Sequence, residues 1–523
     1  MIRPDAVHQT SSRPLRPRAS AAWALAVLLL GAALPLAAQT VTFTVTSSAD
    51  AGPGTLREAL IAGNALPGPV QIRANLPAGS TITLASDLPL LVPAYDFDFI
   101  AIGGLTIDGN GHRILASAPG PARAFVRLRS LVLRNGRNAV GGCLHALAEQ
   151  ISVTTVELHD CRAEATAAAG GGAFLAGTAV TPALQVQVAD SRFIGNQAIG
   201  QDARGGALAI ERVSGIVGIG TSVFLGNRAE ATAAAGTARG GALDLAVWSS
   251  LAQVSLIDNE AAAPDPLRSQ GGAIFAAPLQ PSHELQIDQA LATGNRAGSG
   301  SAVAVRDGRL RLVNLTVAGN TGAVAGTGAA LWQHSTVAQP TAVRLDALSF
   351  WRNVAPSGGA ADLALTVAGA PSGPASLSVA HSLIGSREPA CSLGGTWLPE
   401  PSAAHNRWLG AGANPGCPGI AGVGVGAESQ LRLRGVRWPT TPLGFAPALM
   451  PYAGSVLIDS GATQSGPTPD RCPIRDAQFQ ARPADGDGNG TTLCDIGAFE
   501  AQGEPQAPLF ADDFEGMLCC APP

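Results

Sequence analysis

The run DGDGNGTTLCDI, residues 485–496, gathers oxygen ligands at short spacing. Asp485, Asp487 and Asn489 alternate and Gly490 follows, which matches the opening of a calcium loop with ligands at positions 1, 3 and 5 and a turn glycine at 6. The closing acid departs from that pattern. Position 12 is Ile496, the nearest acid is Asp495 one residue earlier, and no helical pattern flanks the run. Two readings follow: a Gly/Asp-rich turn, or a structural calcium held by Asp485, Asp487, Asn489 and Asp495. No other cofactor is expected.

A second constellation pairs Cys143 with His145 and His159 with Cys161. Residues two apart share a strand face, so four zinc ligands are conceivable. The N-terminus argues for an oxidising compartment instead. Arg13, Arg16 and Arg18 precede AAWALAVLLLGAALPLAA, and Ala37 and Ala38 offer a small-residue cleavage site, which reads as a signal peptide over 1–38. In an exported chain, a disulfide or two buried thiols takes precedence over zinc at Cys143 and Cys161. Cys391/Cys417 and Cys472/Cys494 each lie in Gly/Pro-rich sequence and are expected to close local loops, while Cys519 and Cys520 fall in the tail. No second apolar run of comparable length follows, so no integral membrane segment is expected once the signal is removed.

Carboxylate catalysis requires two acids close together, and in a repeat protein that means matching positions of neighbouring repeats. Asp190 stands six residues before Asn196, but the same phase holds Thr221 and Gln253 in the next two repeats. Asp258 directly precedes Asn259, where Gly195, Gly226 and Gly294 stand in the other copies. The acids therefore read as scattered and solvated, and no catalytic residue is assigned. Among 523 residues, 14% are charged and the net charge is −5, with no lysine and no basic stripe, which excludes nucleic acid as a partner. Aromatic residues make up only 4%, so a core must be built from Val, Ile, Leu and Ala.

The element that must position these residues is a repeat. Asn196, Asn227, Asn259, Asn295, Asn320 and Asn353 recur at spacings of 31, 32, 36, 25 and 33 residues. Between them fall GGGAFLA (170–176), GGALAIE (205–211), GGALDLA (240–246), GGAIFAA (271–277), GSAVAVR (300–306) and GAALWQH (328–334). A period near thirty signals a solenoid or a propeller. After each glycine pair the apolar residues alternate, as in Leu208 and Ile210 or Val303 and Val305, which means strands. Propeller blades want four antiparallel strands with hairpin turns, so a parallel β-helix fits better, with equivalent strands about 4.8 Å apart. Glycine and asparagine suit its corners, and an inward column is expected at Phe193, Phe224, Leu256 and Phe350. Pieces such as RAEATAAAGTAR, between Asn and Gly-Gly, are expected to be surface loops.

An open end of such a cylinder needs a cover. The segment PGTLREALIAGNA (53–65) predicts a cap helix with Thr55 and Glu58 at capping-box spacing and an apolar stripe of Leu56, Leu60 and Ile61. LTIDGNGHRI (105–114) predicts strand, tight turn, strand in an early coil. The chain accordingly divides into 1–38 signal, 39–100 cap and first coils, 101–390 β-helix repeats, 391–500 C-terminal coils and Cys-containing loops, and 501–523 tail.

Phe-x-x-Asn paired with Gly-Gly-Ala-(Ile/Leu) resembles the repeats of bacterial polymorphic outer membrane proteins, over about residues 156–360. In the preceding copy, VELHDCRAE, Cys161 stands where the Asn would be. SVLIDSGA (455–462) followed by DGDGNGTTLCDIGAFE (485–500) is similar to the choice-of-anchor Q region of exported proteins, as is SSADAGPGTLREALIAGNA (47–65). DRCPIRDAQFQARP (470–483) departs from it, since that group tends to have a shorter Asp-Gln-Arg-Gly turn. The resemblance implies a pectin-lyase-like, right-handed parallel β-helix, all-β apart from its cap helix. It further implies an exported protein, extracellular or at the cell surface, with a non-catalytic interaction or adhesion role. Its partner would be an extracellular ligand, a carbohydrate or a host or cell surface. A polysaccharide lyase or glycoside hydrolase with a groove on the same cylinder is the alternative.

Overall fold

In this computed structural model the described residues are 39–503, apart from 93–95, 120–122, 178–184, 212–214, 278–281, 337–340, 369–374, 387–388, 400–404, 410–416, 418–419, 438–447 and 464–470. The expected signal segment, Cys519 and Cys520 lie outside them.

One coil shows the plan. Strands Gln185–Ala189 and Arg192–Ile194 form a long face, bent where Asp190 takes the left-handed conformation. The chain then turns at Gly195-Asn196, runs through Gln197–Gly200 and Asp202–Arg204, turns again at Gly205-Gly206, and forms Leu208–Glu211 on a short face. Each strand pairs in parallel with its counterpart one coil away, as in Val186 opposite Val217 and Leu208 opposite Leu243. The segments between Asn and Gly-Gly are therefore not loops alone. Arg228–Ala231 and Ala238–Arg239 are strands in two narrow stacks of their own. Short, Ala-rich stretches lack the alternation that marks a strand, but a register set by their neighbours pairs them regardless.

Alternation points Val186, Val188, Leu208 and Ile210 inward, and one continuous apolar core runs through the stack. Phe193 and Phe224 stack inside it with ring centroids 4.8 Å apart. Leu256 and Phe350 continue that column in register.

The Asn corner is fully bonded. Asn196 Nδ2 donates to the Leu158 carbonyl (2.9 Å) and to Asn227 Oδ1 (2.9 Å), while the same Oδ1 accepts the Asn196 backbone N–H (3.1 Å). Asn227, Asn259, Asn295 and Asn320 repeat the arrangement. At the Asn-less copy, the Cys161 N–H still donates to Asn196 Oδ1. The opposite corner needs glycine for two reasons. Gly205 has φ +59, and a Cβ on Gly206 would sit 2.1 Å from the Gly241 carbonyl oxygen of the next coil.

At the far end the ladder stops on an acid. The residue after Asn353 in the column is Ser386, whose Oγ accepts the Asn353 N–H but leaves Asn353 Nδ2 to the buried carboxylate of Asp362 (3.0 Å). Burial pushes Asp362 up to about 6, against the pull of hydrogen bonds from Ser386 and Asn353.

The N-terminal helix α1, Leu56–Asn64, lies against strands Val41–Val45 and Val70–Ala74 and buries Leu56, Ala59 and Leu60. Ile61 departs from the expected stripe and is 57% exposed, because it points away from the coil. Thr55 Oγ1 accepts from Glu58 N, but the Glu58 carboxylate reaches back to Gly54 N (2.6 Å) rather than to Thr55 N. Over 105–114, strand Phe97–Asp108 is followed by the expected tight turn at Asn110-Gly111, but the second strand begins only at Leu115, in parallel register with the next coil.

Two predictions follow from this packing. Asn227→Ala should cost about 1–3 kcal/mol, since it removes the acceptor of two buried Asn196 donors and the donor to the Phe193 carbonyl, whereas exposed Gln150→Ala should change denaturation midpoints by less than about 0.5 kcal/mol. Equal losses would contradict a stacked corner. Because the folded value of Asp362 lies above the ordinary carboxylate value, folding takes up a proton here. Its contribution is complete below pH about 4 and falls away as pH rises through about 6, by about 3 kcal/mol at full titration. Urea midpoints measured across pH 4–8 should flatten in Asp362→Asn, and an unchanged slope would contradict this.

Candidate functional site

Cys143 and Cys161 are joined to each other, which removes the zinc reading. The adjacent histidines turn elsewhere: His145 packs edge-on against Phe174, and His159 Nε2 lies 2.9 Å from Glu157. Cys391–Cys417 and Cys472–Cys494 form the other two bridges, as expected.

The 485–496 turn splits into two sites. Asp485 and Asp487 converge with Asp459, each offering an oxygen within 4.8 Å of the others. Asp459 comes from SVLIDSGA, twenty-six residues upstream of Asp485 by the numbering, so spacing within the turn could not reveal it. One Asp459 oxygen accepts the N–H groups of Gly486 and Asp487, both at 3.0 Å. Burial and the neighbouring Asp487 raise Asp459, and Asp485 Oδ1 is buried without a hydrogen-bond partner. Asn489 is spent inside the turn, accepting from Thr491 N and donating to Asp487.

Asp495 belongs to a different network. Its oxygens accept from Asp459 N (2.9 Å) and Ala501 N (2.7 Å), and burial beside Glu500 holds its carboxyl well above the ordinary range. Arg482 neutralises this buried pair. Its Nε donates to Glu500 (2.8 Å), Nη2 reaches the carbonyls of Asp495, Gly497 and Phe499, and Nη1 reaches Asn314 Oδ1 on the coil (3.2 Å). Arg482 lies in the stretch that departs from the choice-of-anchor Q pattern. The acids of DIGAFE are thus structural, closing a C-terminal plug on the side of the solenoid. Asp476 joins them by accepting Glu500 N. The earlier reading of the acids as solvated fails here, and also at Asp362 and Asp244, because all these carboxylates are buried.

One outward surface and one buried column remain. On the long face, Ile216 is 61% and Trp248 41% exposed, opposite one another on neighbouring coils. Beside them Gly218 and Gly220 face outward in extended backbone, and a Cβ at either would meet nothing closer than 3.9 Å. Neither turn nor packing requires these glycines. They leave a shelf between Gln187 and Ser250, with an indole and an isoleucine along one edge.

On the short face, the column turned away from the central core reads His145, Phe174, Ala209, Asp244, Phe275, Ala304, Trp332 in register, and most of it is buried in apolar clusters of its own. Asp244 is the single acid in it, 5% exposed, and its Oδ2 has no partner. Sequence reasoning passed over it, although GGALDLA is the one Gly-Gly copy with an acid at that position. A separate groove of about 460 Å³ is lined by Thr237, Arg239, Asp265, Leu267, Arg268, Gln270 and Arg306.

Comparison with known protein families, with curated proteins and with solved structures found no match for this chain. If Asp459, Asp485 and Asp487 hold calcium, the melting temperature should rise in calcium relative to chelator by a few degrees, and Asp459→Asn should abolish the difference. Identical melting in calcium and chelator would remove the metal from the account.

Proposed function

We propose that this chain is an exported, right-handed parallel β-helix of the pectin-lyase-like kind that serves as a non-catalytic interaction protein at or outside the cell surface. The observation that carries the reading is the shelf at Gly218 and Gly220. Glycine inside a strand sacrifices packing and order, and where no bulge or tight turn explains it, close approach of another molecule does. Trp248 supplies a flat apolar ring, and Gln185, Gln187 and Ser250 supply neutral donors and acceptors around it. That combination suits an uncharged, hydroxyl-rich surface such as a glycan, whose ring faces stack on indole while its hydroxyls meet amides. The resemblance of the repeats to polymorphic outer membrane proteins, and of residues 455–500 to the choice-of-anchor Q region, supports export and surface display. A calcium at Asp459, Asp485 and Asp487 would be structural in this reading, rigidifying the plug turn.

The test is binding by purified residues 39–523 to a neutral glycan array and to intact cells. Trp248→Ala and Gly218→Arg should each weaken binding at least about tenfold, as expected when an anchor residue is lost or its shelf is filled. Their melting temperatures should stay near wild type, because both positions face outward. Undiminished binding by both variants would overturn the reading. Turnover of a polysaccharide by the same preparation would favour the hydrolase or lyase alternative.

A further inference from the structure

The turn that carries Asp485 and Asp487 holds a further polar side chain, Asn489, that neither the acid cluster nor the shelf uses. Asn-x-Ser or Asn-x-Thr, with no proline between, is the acceptor pattern for attaching a glycan to an asparagine amide. The chain has it twice, at Asn314-Leu315-Thr316 and at Asn489-Gly490-Thr491. None of the ladder asparagines carries it.

Burial separates the two copies. Asn314 is 2% exposed where the plug meets the coil, its Nδ2 donating to the Arg475 carbonyl (2.9 Å) and its Oδ1 accepting from Arg482 Nη1 (3.2 Å). Thr316 is fully buried beside it. A sugar on that nitrogen would displace the plug. Asn489 stands at the other extreme. Residues 487–492 are exposed without a break, and a Cβ on Gly490 would meet no atom within 4 Å.

Local bonding presents the Asn489 amide for transfer. Its Oδ1 accepts the Thr491 N–H (2.8 Å), an Asx turn that folds the threonine back toward the carboxamide. Nδ2 carries two hydrogens. One donates to Asp487 Oδ2 (2.9 Å), and the other meets no acceptor among the described residues. The backbone is held separately, with Asp487 Oδ1 accepting Asn489 N–H (3.0 Å) and Asp485 Oδ2 accepting Gly490 N–H (2.9 Å). Replacing the spare hydrogen by a sugar therefore breaks no bond that the turn makes.

We propose that Asn489 is an N-glycosylation site, modified on the folded protein, and that Asn314 is not. The co-substrate is an oligosaccharide carried on a lipid pyrophosphate. Asn489 Nδ2 attacks C1 of its first sugar. The C1–N bond forms, the C1–O bond breaks, the lipid pyrophosphate leaves, and the spare Nδ2 proton passes to a base of the transferase. This rests on the export reading, because the donor lipid and its transferase work on the outer side of a membrane.

The experiment has two arms. In the first, the folded protein and a reduced, denatured sample are incubated with an oligosaccharyltransferase and a lipid-pyrophosphate-linked oligosaccharide, then digested and read by mass spectrometry. The folded protein should gain one glycan mass on the peptide containing Asn489 and none on the peptide containing Asn314. The denatured chain, with both asparagines accessible, should gain it at both. Asn489→Gln and Thr491→Ala should lose the adduct at 489 and Thr491→Ser should keep it, all three melting near wild type because the turn is exposed. No adduct at Asn489 in the folded protein, or equal modification of Asn314, would overturn the proposal. In the second arm, the protein is recovered from the cells that produce it and its N-terminus is sequenced. A start near residue 39 with a glycan on Asn489 supports both export and the site. The same start with a bare Asn489 overturns glycosylation and leaves export standing. A chain that retains residues 1–38 overturns export, and the first arm then judges the site alone.

Discussion

From Asn196 to Asn353, a single carboxamide oxygen holds each coil to the next. Asn227 Oδ1 accepts both the backbone N–H and the side-chain amide of Asn196, so a one-residue slip of either coil would break two buried bonds at once. Parallel strands elsewhere in the coil pair through backbone groups that are alike at every position, and alone they specify register weakly. The Asn ladder and the glycine corner supply what is missing. With those two points fixed, inward alternation follows and the Phe193–Phe224 stack falls into line.

The same ladder explains how its own last rung is closed. A chain of identical donors and acceptors leaves a surplus donor at its last rung, and Asp362 meets it where Ser386 is too short. The cost is a buried carboxyl whose charged form is disfavoured. Parallel pairing continues past that rung to Val423–Val425, and the segment after it lies against the side of earlier coils. Gln289 and Asn314 donate to the carbonyls of Asp476 and Arg475, and Gly497 N donates to the His381 carbonyl. Gln289, Asn314 and His381 are the same left-handed bend of the long face on different coils, the position that Asp190 and Thr221 occupy earlier in the chain. The bend therefore offers one geometry to solvent on some coils and to the plug on others.

Outward positions are free of the constraints that govern the core, and this is where the chain differs from coil to coil. Replacing Ala209 by Asp244, or the Glu211 position by Ala246, changes no packing of the central core. Glycine at 218 and 220 likewise alters only shape. A solenoid can thus carry a neutral shelf on one face without disturbing its frame.

The corners, the period, the inward column and the cap helix were legible in the residues, because each is a local demand repeated many times: glycine for a positive φ or a close approach, asparagine for a buried turn, alternation for a strand. The pairings of Cys391 with Cys417 and Cys472 with Cys494 were legible for a similar reason, each closing a short loop. Ala-rich strands such as Ala238–Arg239 were not legible, since their neighbours, not their composition, impose their conformation. The calcium candidate shows the divide most clearly. Asp485 and Asp487 announce themselves by spacing, but their third partner is Asp459, and the carboxylate of Asp495, one residue from the expected loop position, is turned inward to the N–H groups of Asp459 and Ala501. Sequence distance governs only what lies within a turn; which distant acids meet, and which are buried, is decided by how the plug folds back on the coils.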